Sequence, residues 1–91
     1  MKIGDDVGGY LVYIHKRKDS GQIFYIGKGT KRRAYLMTGR SASWDRVAKV
    51  SGVDVEIDSR WISERDALSR ENELIDANLA TVVNKRRSRI E

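Results

Sequence analysis

The sequence predicts a small α+β domain: a central antiparallel β-sheet flanked by helices, in the order β, β, α, α, β, α. Three observations carry this. Residues 10–16 and 22–26 are two runs rich in β-branched and aromatic residues, and they flank the turn signal Asp19-Ser20-Gly21. Val53, Val55 and Ile57 alternate with Asp54, Glu56 and Asp58, the period of a half-exposed strand. Between and after these runs, apolar residues recur at helical spacing. A chain of 91 residues suits one domain with a thin core, spanning about residues 9–85 and ending in a basic tail over 85–91.

Each element follows from local chemistry. In the first strand Tyr10, Val12 and Ile14 face one way and Leu11, Tyr13 and His15 the other. A three-residue loop, Asp19 to Gly21 with the glycine left-handed, pairs Lys18 with Gln22. Carried down the ladder, that register sets His15 opposite Tyr25 and Tyr13 opposite Gly27, so that Tyr13 and Tyr25 share a face. A one-residue change of loop length would separate them. A short helix runs from Thr30 to about Thr38 and stops at Gly39. A second covers Ser41 to Lys49, capped by Ser41 or Ser43, with Trp44, Val47 and Ala48 as its stripe and Gly52 closing it. The strand begun at Val53 continues through Trp61. Ser63 caps the longest helix, about Glu64 to Leu79, and Val82-Val83 forms a short strand or extended segment.

The composition narrows the partner. With 18 Lys and Arg against 13 Asp and Glu the formal charge is +5, which favours a polyanion, nucleic acid first and an acidic membrane surface second. There is no cysteine and one histidine, so thiolate and multi-histidine metal sites are excluded. No apolar run reaches membrane-spanning length and the first ten residues lack a signal-peptide pattern, so a cytoplasmic location without membrane contact is expected.

Two places carry chemistry. At Phe24 to Tyr35 a strand meets Gly27 and Gly29 and passes into a helix at Thr30. The glycines permit a sharp turn or close approach to a ligand, and Lys28, Lys31, Arg32 and Arg33 crowd the same corner. A strand end, a glycine turn, a helix start and four cations suit a phosphate. The second place is Glu71, which falls inside the stripe Ala67, Leu68, Leu74, Ile75 and Leu79, whereas Glu64, Glu73 and Asp76 lie on the polar side. A carboxylate on a buried face is costly unless it is paired or holds a cation.

With Tyr13, Tyr25-Ile26-Gly27, Arg33 and Glu71 in place, the chain resembles the GIY-YIG nuclease family over about Gly9 to Lys85. Leu11-Val12-Tyr13 matches the first signature at its tyrosine, and Tyr25-Ile26-Gly27 matches the second in full. The run Lys28 to Tyr35 is similar to the glycine-lysine-glycine form of the motif, with Arg33 as the helix arginine and Arg32 as the alternative. Residues 67–75 are similar to the glutamate helix, and Val82 to Lys85 to the closing asparagine segment.

The resemblance implies a metal-dependent endonuclease that hydrolyses DNA phosphodiesters with one Mg²⁺ or Mn²⁺ per site. Glu71 would be the metal ligand. Arg33 would fork onto phosphate, and Tyr13 and Tyr25 would act as base or water-positioning groups, with Tyr13 favoured. Lys28 would assist Tyr13 or contact the phosphate. Lys28, Lys31, Arg32, Asn84, Lys85 and Arg86 would contact nucleic acid. A catalytically inactive nucleic-acid-binding module is the alternative. Met37 stands where many members carry a histidine, and His15, two residues from Tyr13, is read as a strand histidine rather than a substitute. Trp44 and Trp61 are read as core. Cutting both strands would call for a homodimer, a protein partner or two successive events.

Overall fold

The computed structural model describes residues 9–84; residues 1–8 and 85–91, and with them the tail cations Lys85 and Arg86, lie outside that range. It is an α+β arrangement of a three-stranded antiparallel sheet and three helices in the expected order. The elements are β1 (Tyr10–Arg17), β2 (Ile23–Gly29), α1 (Lys31–Ala34), α2 (Ala42–Ser51), β3 (Val53–Trp61) and α3 (Glu64–Ala77). The sheet order is β2-β1-β3, with the first strand in the middle. No helix among the described residues is long and apolar enough to cross a membrane.

The β1–β2 register pairs Tyr13 with Gly27 and His15 with Tyr25, as the sequence predicts, but by a different route. The loop has four residues, Lys18 to Gly21, closed by Arg17 N–H on the Gln22 carbonyl at 2.7 Å and Gly21 N–H on the Arg17 carbonyl at 2.7 Å. The extra loop residue would flip every side chain of β2. A bulge restores the register: Lys16 pairs with Ile23 and His15 with Tyr25, which leaves Phe24 over. Phe24 joins the rings on the Tyr25 side, 5.9 Å from Trp44 and 6.3 Å from His15 between centroids. A second shift, between Val12 and Tyr13, leaves Asp58 as the extra residue of β3.

The two faces of the sheet are built differently. On one, Val12 and Ile26 pack with Ala67 and Ile75 of α3, and Tyr10, Ile23, Trp61, Leu74 and Val82 extend the cluster. On the other, Tyr13, His15, Tyr25 and Phe24 lie under α1 and α2, with Trp44 buried among them. Trp61 is only half-buried, its indole N–H on the Ser59 hydroxyl at 2.8 Å. Leu79 belongs to neither face: α3 ends at Ala77 and Leu79 is 65% exposed.

Helix α1 is one turn, not the two expected to Thr38. Thr30 caps it, its hydroxyl accepting from Arg33 N–H. Its continuation is pre-empted by side chains. Arg40 donates to the Arg33 and Leu36 carbonyls at 2.5 and 2.9 Å, and His15 Nε2 lies 2.7 Å from the Ala34 carbonyl. Carbonyls held this way terminate a helix as a cap does. Ser41 caps α2 and Gly52 follows its last residue. Beyond α3, residues 82–84 run along the outer edge of β2. Val83 N–H binds the Phe24 carbonyl at 2.7 Å, and the Asn84 carboxamide receives Ile26 N–H and donates to the Ile26 carbonyl. The side chain imitates a peptide group and closes the edge.

Candidate functional site

Gly27 explains how the two phenols come together. A Cβ at this position would lie 2.4 Å from both Cζ and Oη of Tyr13. The Tyr13 ring therefore lies across the neighbouring strand in space that only glycine leaves open. Gly27 sits inside β2 and has no unusual φ, so its role is this close approach and not a turn. Gly29 is the conformational glycine: its φ is +152°, and a Cβ there would meet Arg33 Cγ at 3.3 Å. The strand thus ends on a residue that L side chains disfavour, and α1 starts close against it.

Tyr13 and Tyr25 are 6.4 Å apart between ring centroids, with Tyr13 almost fully buried. His15 completes the layer at 5.2 Å from Tyr13 and 5.4 Å from Tyr25. Its ring state follows from its partners. The indole of Trp44 can only donate, and it does so to Nδ1 at 2.9 Å. Nε2 therefore carries the hydrogen and donates to the Ala34 carbonyl. Burial, foremost, and the charge of Arg40 lower the His15 pKa against that carbonyl bond, so the imidazole is neutral at pH 7. Both nitrogens are engaged in structure. The reading of His15 as a strand histidine stands, with full burial in place of half.

Arg40 is the residue that the sequence reading missed. Its guanidinium carbon lies 5.8, 5.4 and 5.7 Å from the ring centroids of Tyr13, Tyr25 and Trp44, and Nη1 donates to the Tyr13 oxygen at 3.3 Å. The same side chain holds the Arg33 carbonyl of α1 and the Leu36 carbonyl just beyond it, so one cation ties the phenols to the turn that carries Arg33. No local pattern marks it, since it is a single arginine between Gly39 and the cap Ser41.

Glu71 is 6% exposed, on the same side of α3 as Ala67 and Ile75, and Asn72 beside it is also buried. β2 is an outer strand, and its edge is where a residue of α3 can approach a side chain on the opposite face. The charges around the Tyr25 phenol record that approach. Its pKa is raised, first by burial and then by Tyr13. Arg40 opposes the rise, Glu71 adds to it, and Arg33 opposes it. Tyr13, Arg40, Glu71 and Arg33 thus each act electrostatically on the Tyr25 phenol.

The other expected residues lie elsewhere. Lys28 points to the α3 face, where it pairs with Glu64 at 2.8 Å and stands 5.2 Å from the centre of the Tyr10 ring. The structure does not bring it to Tyr13. Lys31, Arg32 and Arg33 are exposed on α1. The Asn84 amide is engaged at the β2 edge. Met37 is 41% exposed. Lys85 and Arg86 lie outside the described residues.

Among the described residues no group of three or more His, Cys, Asp or Glu could hold a metal ion. Glu71 alone suits a hydrated hard cation that takes one protein oxygen and keeps water and a substrate phosphate as its other ligands. A separate concavity of about 370 Å³, lined by Trp61, Asp66, Ser69, Arg70 and Glu73, shares no residue with this cluster. In comparisons with known proteins, no family model, curated protein or solved structure matches the chain.

Proposed function

We propose that the chain is a GIY-YIG-type catalytic domain that hydrolyses DNA phosphodiester bonds with one divalent cation. Two observations support this reading: Tyr13 lies 6.4 Å from Tyr25 between ring centroids, and Arg33 and Glu71, from two helices, both act on the charge of the Tyr25 phenol. Arg33 is exposed and free to fork onto phosphate oxygens. Tyr25, held in its protonated form, donates a hydrogen bond to the phosphate or the water. Tyr13, whose oxygen accepts an N–H from Arg40, is the favoured group to position the attacking water or, as its phenolate, to take that water's proton. Glu71 would hold Mg²⁺ or Mn²⁺. When bound, that ion supplies charge stabilisation on the pentavalent phosphate and the leaving oxygen.

The test is conversion of supercoiled plasmid to nicked and linear forms with and without Mg²⁺, comparing the wild type with Glu71→Ala and Arg33→Ala. The reading requires cation-dependent cleavage that both substitutions reduce by at least about a hundredfold. Equal cleavage by all three proteins would refute it. A second reading, a nucleic-acid-binding module without cleavage, draws on the single carboxylate of the cluster and on Met37 at a position that offers no proton. It predicts DNA binding by the wild type with no cation-dependent product.

A further inference from the structure

The cations and carboxylates of this chain are sorted between two parts of the fold. Residues 28–49, which hold the end of β2, α1 and most of α2, carry seven Lys and Arg against one Asp. Residues 53–77, β3 and α3, carry eight Asp and Glu against three Arg. The ion pairs deepen the division. Lys16, Lys18 and Lys28 are paired with Glu56, Asp54 and Glu64, so cations from outside go to the acidic part, and within it Arg70 is paired with Asp58 and Glu73. Among the described residues, Arg32, Arg33, Arg40, Arg46 and Lys49 have no ion pair; Arg40 is engaged with the phenol cluster, and the other four lie on α1 or α2.

Two of these four belong to no site described above. On α2, Trp44 faces the sheet and is buried. At about 100° per residue, Arg46 and Lys49 lie at about 200° and 140° from it, on the opposite side of the helix. Both are exposed, and at i, i+3 their Cβ atoms are about 5–6 Å apart. Asp45 is the only acidic residue of the helix. Salt screens charge within about 8–10 Å, so a polyanion responds to this local set and not to the acidic side beyond.

We propose that the outer surface of α1 and α2 is where the DNA backbone lies, with Arg46 and Lys49 contacting phosphates beyond those held at the phenol cluster. The proposal rests on the nuclease reading for the identity of its partner. It also assigns an orientation: the strand runs over α1 and α2, and the exposed carboxylates of β3 and α3, Asp54, Glu56, Glu73 and Asp76, lie away from it. These contacts neutralise phosphates without reading bases, so they contribute affinity and salt dependence and no sequence preference.

The test is fluorescence anisotropy of a labelled DNA duplex over a NaCl series without divalent cation, using the full chain. Arg46→Ala with Lys49→Ala is compared with Glu73→Gln with Asp76→Asn on α3, all checked for melting temperature. The first pair lowers affinity on the order of tenfold at 0.1 M salt, and the slope of log K against log salt falls by about 0.9 for each phosphate left unneutralised. The second pair leaves affinity within about twofold and cleavage unchanged. A wild-type slope in the Arg46/Lys49 variant, with the fold intact, would overturn the proposal while leaving the nuclease reading standing. Absence of DNA binding by the wild type would end both. Tighter binding to matched RNA, or to polyglutamate, through the same two residues would overturn the assignment to DNA.

Discussion

The two faces of the sheet solve different problems with the same three strands. The α3 side is closed mainly by aliphatic contact: Val12, Ile26, Ala67 and Ile75 need only volume and dryness. The α1–α2 side is closed by rings that carry polar atoms, and directed bonds tie them in place: Trp44 to His15, His15 to Ala34, Arg40 to Tyr13, Arg33 and Leu36. No buried side-chain nitrogen or oxygen among the described residues lacks a hydrogen-bond partner. An aliphatic face tolerates repacking, whereas a bonded one admits a single arrangement. The second kind of surface is the one on which two phenols can be held in fixed relation, and the first supplies much of the stability that lets it exist.

The contrast can be broken most forcefully on the aliphatic side. Ile75→Ala removes a fully buried side chain and is expected to lower unfolding free energy by about 2–5 kcal/mol in urea denaturation. For so small a domain that is a large fraction of the total. Gly27→Ala comes next, at about 1–3 kcal/mol, because the new methyl displaces the Tyr13 ring. The two losses differ in kind. Tyr13→Leu added to Gly27→Ala should recover stability and not cleavage, since the shorter side chain vacates the contested space. No recovery would mean that the strain resides in the β2 backbone.

The third expectation concerns pH and sharpens the contrast, because the bonded face holds the one histidine of the chain. The folded-state pKa of His15 is depressed below its ordinary value of 6.5. Below that pH the unfolded chain binds a proton that the folded chain refuses. Stability is therefore full above about pH 6.5 and falls as pH drops through the window below it, by at most about 1.4 kcal/mol per pH unit. The chain has one histidine, so its imidazole NMR signals are unambiguous. They should remain those of the Nε2–H form at pH values where free histidine is charged. Titration at the ordinary value would show that the Trp44 and Ala34 bonds do not hold the ring.

Much of the aliphatic face could be read from the sequence and much of the bonded face could not. Ile26, Ala67 and Ile75 declare themselves by period, as does Glu71 by interrupting one. The hairpin register was legible only because two departures cancel: the fourth loop residue and the Phe24 bulge each shift β2 by one. The length of α1 was not legible, because its end is set by side-chain bonds to backbone carbonyls, from Arg40 a few residues on and from His15, 19 residues before Ala34, which no helical periodicity announces. The sequence reads Lys28 as assisting Tyr13 or contacting phosphate from the cation-rich corner, yet it pairs with Val12 next to the Tyr13–Gly27 pair, and neighbours along a strand face opposite ways. Arg40 shows the limit most plainly. Its role comes from three rings and two carbonyls gathered by the fold, none of which adjoins it in the chain.

The smallest expected effect concerns Arg40 and separates charge from geometry on the bonded face. Arg40→Lys keeps a cation near the three rings, and with it part of the cation–π attraction. A single ammonium cannot reproduce a planar fork that serves the Arg33 and Leu36 carbonyls and the Tyr13 oxygen at once. The guanidinium is only half-buried, so water can satisfy part of what is lost, and a stability loss of about 1 kcal/mol is expected. Arg40→Met removes the charge as well and should lose more. If directional bonding holds this face together, Arg40→Lys resembles Arg40→Met in thermal denaturation and in cleavage; if charge alone suffices, it resembles the wild type. The second outcome would mean that the phenols are placed by packing, as on the aliphatic side, and the distinction between the two faces would reduce to composition.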